Sequence, residues 1–208
     1  MGSVFQLEKA VGERVEFTDA DAEGVAFPHH DPLVITAMIG NHLVHRCLVD
    51  CGSSADILYL DAFEKMNIGS ARLERSKGQL SGFTGNSIAP EGMIDLPVTV
   101  GEDPCKASAM ATFMVVRGSS SYNAIIGRPT LVRWKAIVSA YHMCMKFPTP
   151  HGVGTVRGNQ ERARTCYNAS LRPAGEKAVA KPRTEAHSAE IGEASSAKAD
   201  LDPRLPVS

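Results

Sequence analysis

Between residues 33 and 147 the chain runs twice through one order of elements: a β-hairpin, a further strand, then a short helix. In the first pass, residues 33–39 and 43–49 are β-rich runs joined by Gly40-Asn41, a Gly-first pair suited to a type II′ turn. Residues 57–60 continue extended. Asp61-Ala62-Phe63-Glu64-Lys65-Met66 then reads as a helix with Phe63 and Met66 on one face, stopping near Gly69. In the second pass, residues 80–96 bracket a glycine-rich hairpin tip, Gly82-Phe83-Thr84-Gly85-Asn86. Ile94, Leu96, Val98 and Val100 alternate with Asp95, Pro97 and Thr99, and Pro97 favours an edge position. Residues 107–116 and 122–127 are further strand candidates, and Pro129 opens a predicted helix over 130–136. Residues 137–139 and 143–147 finish the unit as strands. Many short strands with two small helices point to an all-β, barrel-like domain.

A chain of 208 residues with 43% hydrophobic content fits one such domain with flanks. Residues 1–31 are polar and acidic and are expected to form a poorly ordered leader. Residues 32–148 are the expected folded unit. Residues 149–172, with Arg157, Arg162, Arg164 and Arg172, read as a basic, solvated linker, and Gly152-Val153-Gly154 within it as a tight turn after the folded unit. Residues 173–208, rich in Ala, Glu, Lys, Ser and Pro, are expected to be a disordered tail, because they bury too little surface to offset ordering entropy. Five scattered cysteines fit reduced thiols in the cytoplasm. No apolar run approaches the roughly 20 residues that span a bilayer, and no signal-peptide layout opens the chain, so no membrane is expected as a partner. A net charge of −1, with no strongly basic domain and no zinc-knuckle pattern, gives no reason to expect nucleic acid as one.

The chemistry concentrates in Cys47-Leu48-Val49-Asp50-Cys51-Gly52-Ser53-Ser54-Ala55-Asp56-Ile57-Leu58. An apolar strand delivers one carboxylate, Asp50, into a turn where Gly52 allows tight backbone and Ser53 and Ser54 can donate hydrogen bonds. Burying an ionised Asp is costly without compensation. An ordinary turn aspartate is the bland alternative. Two carboxylates about 3 Å apart share one proton, so one can activate a water while the other protonates a carbonyl. Nothing in the second half repeats Asp-x-Gly after an apolar strand, so a pair requires two copies of Asp50 on a twofold axis. His42 and His45, three apart on a strand, face opposite sides, and no metal site is expected. Cys51 as a nucleophile lacks a visible base. Trp134 reads as a core or interface anchor.

Leu48-Val49-Asp50-Cys51-Gly52-Ser53-Ser54, the glycine-bearing hairpin 82–85 and Ala124-Ile125-Ile126-Gly127-Arg128-Pro129-Thr130-Leu131 together resemble the retropepsin family. Within it the similarity is to the protease region of plant Ty3/gypsy-type retrotransposon polyproteins, with Met145-Lys146-Phe147-Pro148-Thr149 and Gly152-Val153-Gly154 adding to it, over roughly residues 32–171. The resemblance implies a closed retropepsin-like β-barrel, the acid protease fold, with two short helices and a flap hairpin. It makes Asp50 the catalytic aspartate in the loop of Cys51, Gly52, Ser53 and Ser54. Gly82, Phe83, Thr84 and Gly85 become the flap over an extended peptide held by main-chain hydrogen bonds. Ile125, Ile126 and Gly127 pack across the Asp50 loop, Arg128 anchors the following helix, and residues 143–147 join a dimer interface. The implied activity is aspartic endopeptidase processing of a Gag-Pol polyprotein by a homodimer without cofactor, the basic segment leading toward a downstream reverse transcriptase. One departure stands out: Cys51 occupies a position where the family has Thr or Ser, and a thiol is the weaker donor. The alternative is a catalytically degenerate remnant that serves only for dimerisation or peptide binding.

Overall fold

The computed structural model describes residues 14–69, 72–75, 80–81, 87–118 and 120–170. The expected flap residues Gly82, Phe83, Thr84 and Gly85 and the expected tail 173–208 lie outside them. In chain order the elements are β1 (Val34–Ile39), β2 (His42–Val49), β3 (Asp56–Tyr59), α1 (Leu60–Lys65), β4 (Leu80–Ser81), β5 (Ser87–Ile88), β6 (Gly92–Val100), β7 (Ala107–Val116), β8 (Ala124–Ile126), α2 (Arg128–Arg133), β9 (Ile137–Ser139), β10 (Cys144–Thr149), β11 (Gly152–Arg157) and α3 (Gln160–Ser170).

Six strands close a barrel in the order β1-β2-β8-β3-β7-β6, with β6 returning to β1 through Ile39 opposite Val98 and Met38 opposite Thr99. Read backwards, that order exchanges β1 with β6, β2 with β7 and β3 with β8, so the two sequence passes become two halves related by a pseudo-twofold. Each half threads one parallel contact through the other: β2 runs parallel to β8, and β3 parallel to β7. Alternation explains β6, where Gly92, Ile94, Leu96, Val98 and Val100 are buried and Asp95 and Pro97 exposed. Pro97 is not at a sheet edge as expected, since β6 has neighbours on both sides. Its carbonyl accepts from Gly40 N–H at 2.7 Å, at the β1–β2 turn. A strand residue's amide and carbonyl point the same way, so the missing N–H falls at that turn and costs no ladder bond to β7. Gly40 itself takes φ +60, which only glycine adopts freely.

Phe113, Leu58, Ile126, Val98, Ile39 and Val44 fill the barrel, α1 and α2 add Phe63 and Leu131 to the same core, and Trp134 joins it just after α2. The three-stranded sheet β11-β10-β9 extends it through Met145 and Phe147. Gly152 and Gly154 lie in β11, paired with β10 from Cys144 opposite Arg157 to Thr149 opposite Gly152, rather than in a turn after the folded unit. The reason is close packing. A Cβ on Gly154 would lie 2.3 Å from Phe147 Cε2.

The segment expected as a basic linker thus holds β11 and α3, as far as residue 170. From residue 14, the expected leader is tied to both by side chains. Asp21 and Lys146 form an ion pair at 2.7 Å, and Lys146 lies 5.2 Å from the Phe17 ring centre. Arg157 donates to the carbonyls of Asp21 and Ala20, and Arg164 pairs with Asp31 at 2.9 Å. Among the described residues no helix is long and apolar enough to cross a membrane.

Candidate active site

Strand β8 lies between β2 and β3, so the chain leaving β2 at Val49 must cross the end of β8 to start β3. Residues 50–55 make that crossing, and Asp50 is its first residue. Asp50 N–H donates to Ile126 O at 3.0 Å, extending the β2–β8 pairing by one bond. The half-buried carboxylate accepts from Gly52 N–H at 2.8 Å through Oδ1. Ser53 N–H closes the turn onto Asp50 O at 3.2 Å, and Ser53 Oγ donates to Ala55 O at 2.7 Å. Cys51, Gly52 and Ser54 are exposed, so the loop presents its acid toward a face of the molecule.

The β8–α2 junction lies directly against this loop. A Cβ on Gly127 would sit 2.3 Å from Ala55 O and 3.1 Å from Ser53 O, so only glycine permits this approach. Arg128 N–H donates to Ser53 O at 3.0 Å, and its guanidinium reaches Gly52 O at 3.0 Å and Cys51 O at 3.4 Å. Arg128, the first residue of α2, thus ties the start of that helix to the Asp50 loop. Ile125 is half-buried, and Ile126 and Gly127 are buried.

Two further residues join the site that sequence reasoning did not assign. Asp56, 1% exposed, accepts from Gly127 N–H through Oδ1 at 2.7 Å and from the Thr130 hydroxyl through Oδ2 at 2.8 Å. Burial pushes its pKa up, against the opposing pull of those two donors and of Arg133. The signal was available: Asp56 precedes Ile57-Leu58-Tyr59 at a position whose alternate neighbour, Leu58, is core.

In the second half, the crossing related to residues 50–55 by the pseudo-twofold runs from Arg117 to Asn123 between β7 and β8. It opens on Arg117 where the first opens on Asp50, and the Arg117 guanidinium pairs with Glu91 at 2.8 Å. The second crossing offers no matching carboxylate. Of residues 143–147, expected at a dimer interface, Cys144, Met145 and Lys146 are paired within the three-stranded sheet with β9 on one side and β11 on the other. Among the described residues the open edges of that sheet are β9, where Ile137 is 49% exposed, and β11. No group of three His, Cys, Asp or Glu side chains is placed to share a metal ion among the described residues.

No protein-family model matches the chain, and no curated protein matches it. Solved structures similar to it include the retroviral protease-like domain of Ddi1 from Leishmania major, with TM-score 0.48 and 20% identity over 65% of this chain and 97% of that one. A retropepsin-like aspartic protease from Rickettsia conorii gives TM-score 0.40 and 18% identity, covering 59% and 80% respectively. EIAV protease in complex with the inhibitor HBY-793 gives 0.41 and 16%, covering 55% and 99%.

Two concavities among the described residues, one where Gly24 meets α3 and one between Phe27 and Tyr141, lie away from Asp50.

Proposed function

We propose that this chain is a retropepsin-like aspartic endopeptidase domain that works as a C2 homodimer on peptide segments of its own Gag-Pol-type polyprotein. One observation carries the reading: the loop at Asp50 is braced by Ile126, Gly127 and Arg128 and presents a half-buried carboxylate, while the related crossing carries an ion-paired arginine. The acid that must complete the pair then comes from a second copy. The resemblance of residues 48–54 and 124–131 to retropepsin motifs supports the same chemistry. Of the open edges of the β11-β10-β9 sheet among the described residues, β9 is the one proposed to meet the partner, since it carries Ile137, a large apolar side chain 49% exposed. Five free cysteines fit a reducing, cytoplasmic setting.

The direct test is incubation of the purified chain with a broad peptide library at mildly acidic pH. Cleavage is expected, with Asp50→Asn lowering turnover by about 10³-fold or more while circular dichroism stays unchanged. Since one of the two carboxylates must hold a proton, the rate should fall as pH rises through neutrality. Turnover unchanged in Asp50→Asn would remove the assignment.

Cys51 supports a second reading, a degenerate remnant that dimerises without hydrolysis, since its thiol is a poor donor where the family has a hydroxyl. A stable dimer with no cleavage by either the native chain or Cys51→Thr would favour it.

A further inference from the structure

We propose that Asp56 is a positioning residue whose buried carboxylate, bonded at once by the Gly127 amide and the Thr130 hydroxyl, sets the orientation of the loop that carries Asp50. The inference rests on the endopeptidase reading for its consequence, and on geometry alone for its structural part.

Apart from Asp56, the loop is held mainly through its backbone, with Arg128 N–H donating to Ser53 O at 3.0 Å. Cys51, Gly52 and Ser54 are exposed and bury no side chain against the core, and the Arg128 guanidinium that bridges to Gly52 and Cys51 is itself exposed. At the near end the loop is tied by the main-chain bond from Asp50 to Ile126. At the far end stands Asp56, whose two bonds are buried and reach two different groups of the β8–α2 junction. A carboxylate fixed at both oxygens resists rotation about its side-chain bonds more than a singly bonded group does. Ala55, the preceding residue, has its carbonyl oxygen against Gly127 with no room for a methyl group, so Asp56 cannot turn without moving the loop. An apolar residue would continue the row begun by Leu58 without the cost of burying a charge. What the carboxylate adds is a fixed distance between β3 and the Gly127 amide. Its partners also tolerate either protonation state: a protonated Oδ2 can donate to the Thr130 hydroxyl, which then accepts.

The test uses the full chain as wild type, Asp56→Ala, Asp56→Asn, Thr130→Val and Asp50→Asn, on one internally quenched peptide library, with backbone hydrogen exchange followed on the same samples. Asp56→Ala is expected to lower kcat about 100-fold with KM within about threefold, because misplacement of a reacting group acts on the chemical step. It should also speed exchange in peptides covering 50–56 and 124–131 and leave those covering 144–157 unchanged. Asp56→Asn should restore both readouts, since its amide oxygen can accept from Gly127 and its NH₂ can donate to Thr130. Thr130→Val should fall between. Wild-type kcat and exchange in Asp56→Ala would overturn the proposal, and so would Asp56→Asn behaving like Asp56→Ala. If Asp56→Ala does not fold, Thr130→Val and Asp56→Asn decide. If wild type and Asp50→Asn are equally inert, the endopeptidase reading fails, and the exchange data still decide whether Asp56 holds the loop.

Discussion

Asp21 and Asp56 are both buried carboxylates, yet their surroundings push their proton affinities in opposite directions. Lys146, with help from Thr18 N–H, holds Asp21 down at about 2 from an ordinary 3.8. Its contribution to stability is present above about pH 4 and is lost as pH falls toward 2. Burial raises Asp56, so its contribution runs the other way: present below the ordinary carboxylate value and lost as pH rises through the raised one. Thermal melts should separate them. Asp21→Asn is expected to lower Tm at pH 6 with the difference closing toward pH 2, whereas Asp56→Asn should gain on wild type between pH 3 and pH 7. Parallel melting curves across that range would contradict both assignments. At this scale the sequence was read half correctly. Burying an acid is costly, and of the two carboxylates it is Asp56, not the half-buried Asp50, that the interior encloses. Five residues lie between the two, and only the β8–α2 junction, remote in sequence, reveals which one it covers.

Elements repeat that lesson. The strands 107–116 and 137–139 were legible to the residue, and β1, β2 and β6 nearly so; in β6 the cause is alternation, with Ile94, Leu96 and Val98 buried between exposed Asp95 and Pro97. Strand β11 was missed because its glycines mimic a turn; Gly154 is there for the Phe147 ring, which no local pattern shows, and Gly152 for its φ of +121. Gly127 is the corresponding position in the site. Gly127→Ala should force Ala55 away and destabilise the protein by about 1–3 kcal/mol in urea titration, with loss of peptide cleavage. A change below about 0.5 kcal/mol would mean that the two segments are not in contact. At the sheet edge, Ile137→Lys puts a charge where β9 would pair with a partner. Sedimentation should then show a folded monomer at concentrations where the native chain dimerises, and an undiminished dimer would place the interface elsewhere.

At the level of the whole molecule, the two passes of hairpin, strand and helix generate one barrel with two related crossings, and charge separates them. One crossing opens on Asp50 and the other on Arg117, held by Glu91. On the proposed reading each chain supplies half of a proton-sharing pair, and association is a condition of the chemistry. The measurement that tests this most directly mixes wild-type chain with Asp50→Asn at constant total concentration, allows subunits to exchange, and follows peptide cleavage against the wild-type fraction. Activity is predicted to follow the square of that fraction, falling to about one quarter in an equal mixture, because every mixed dimer is dead. A linear fall to about one half would show that a single chain carries the chemistry alone, and the account would be wrong.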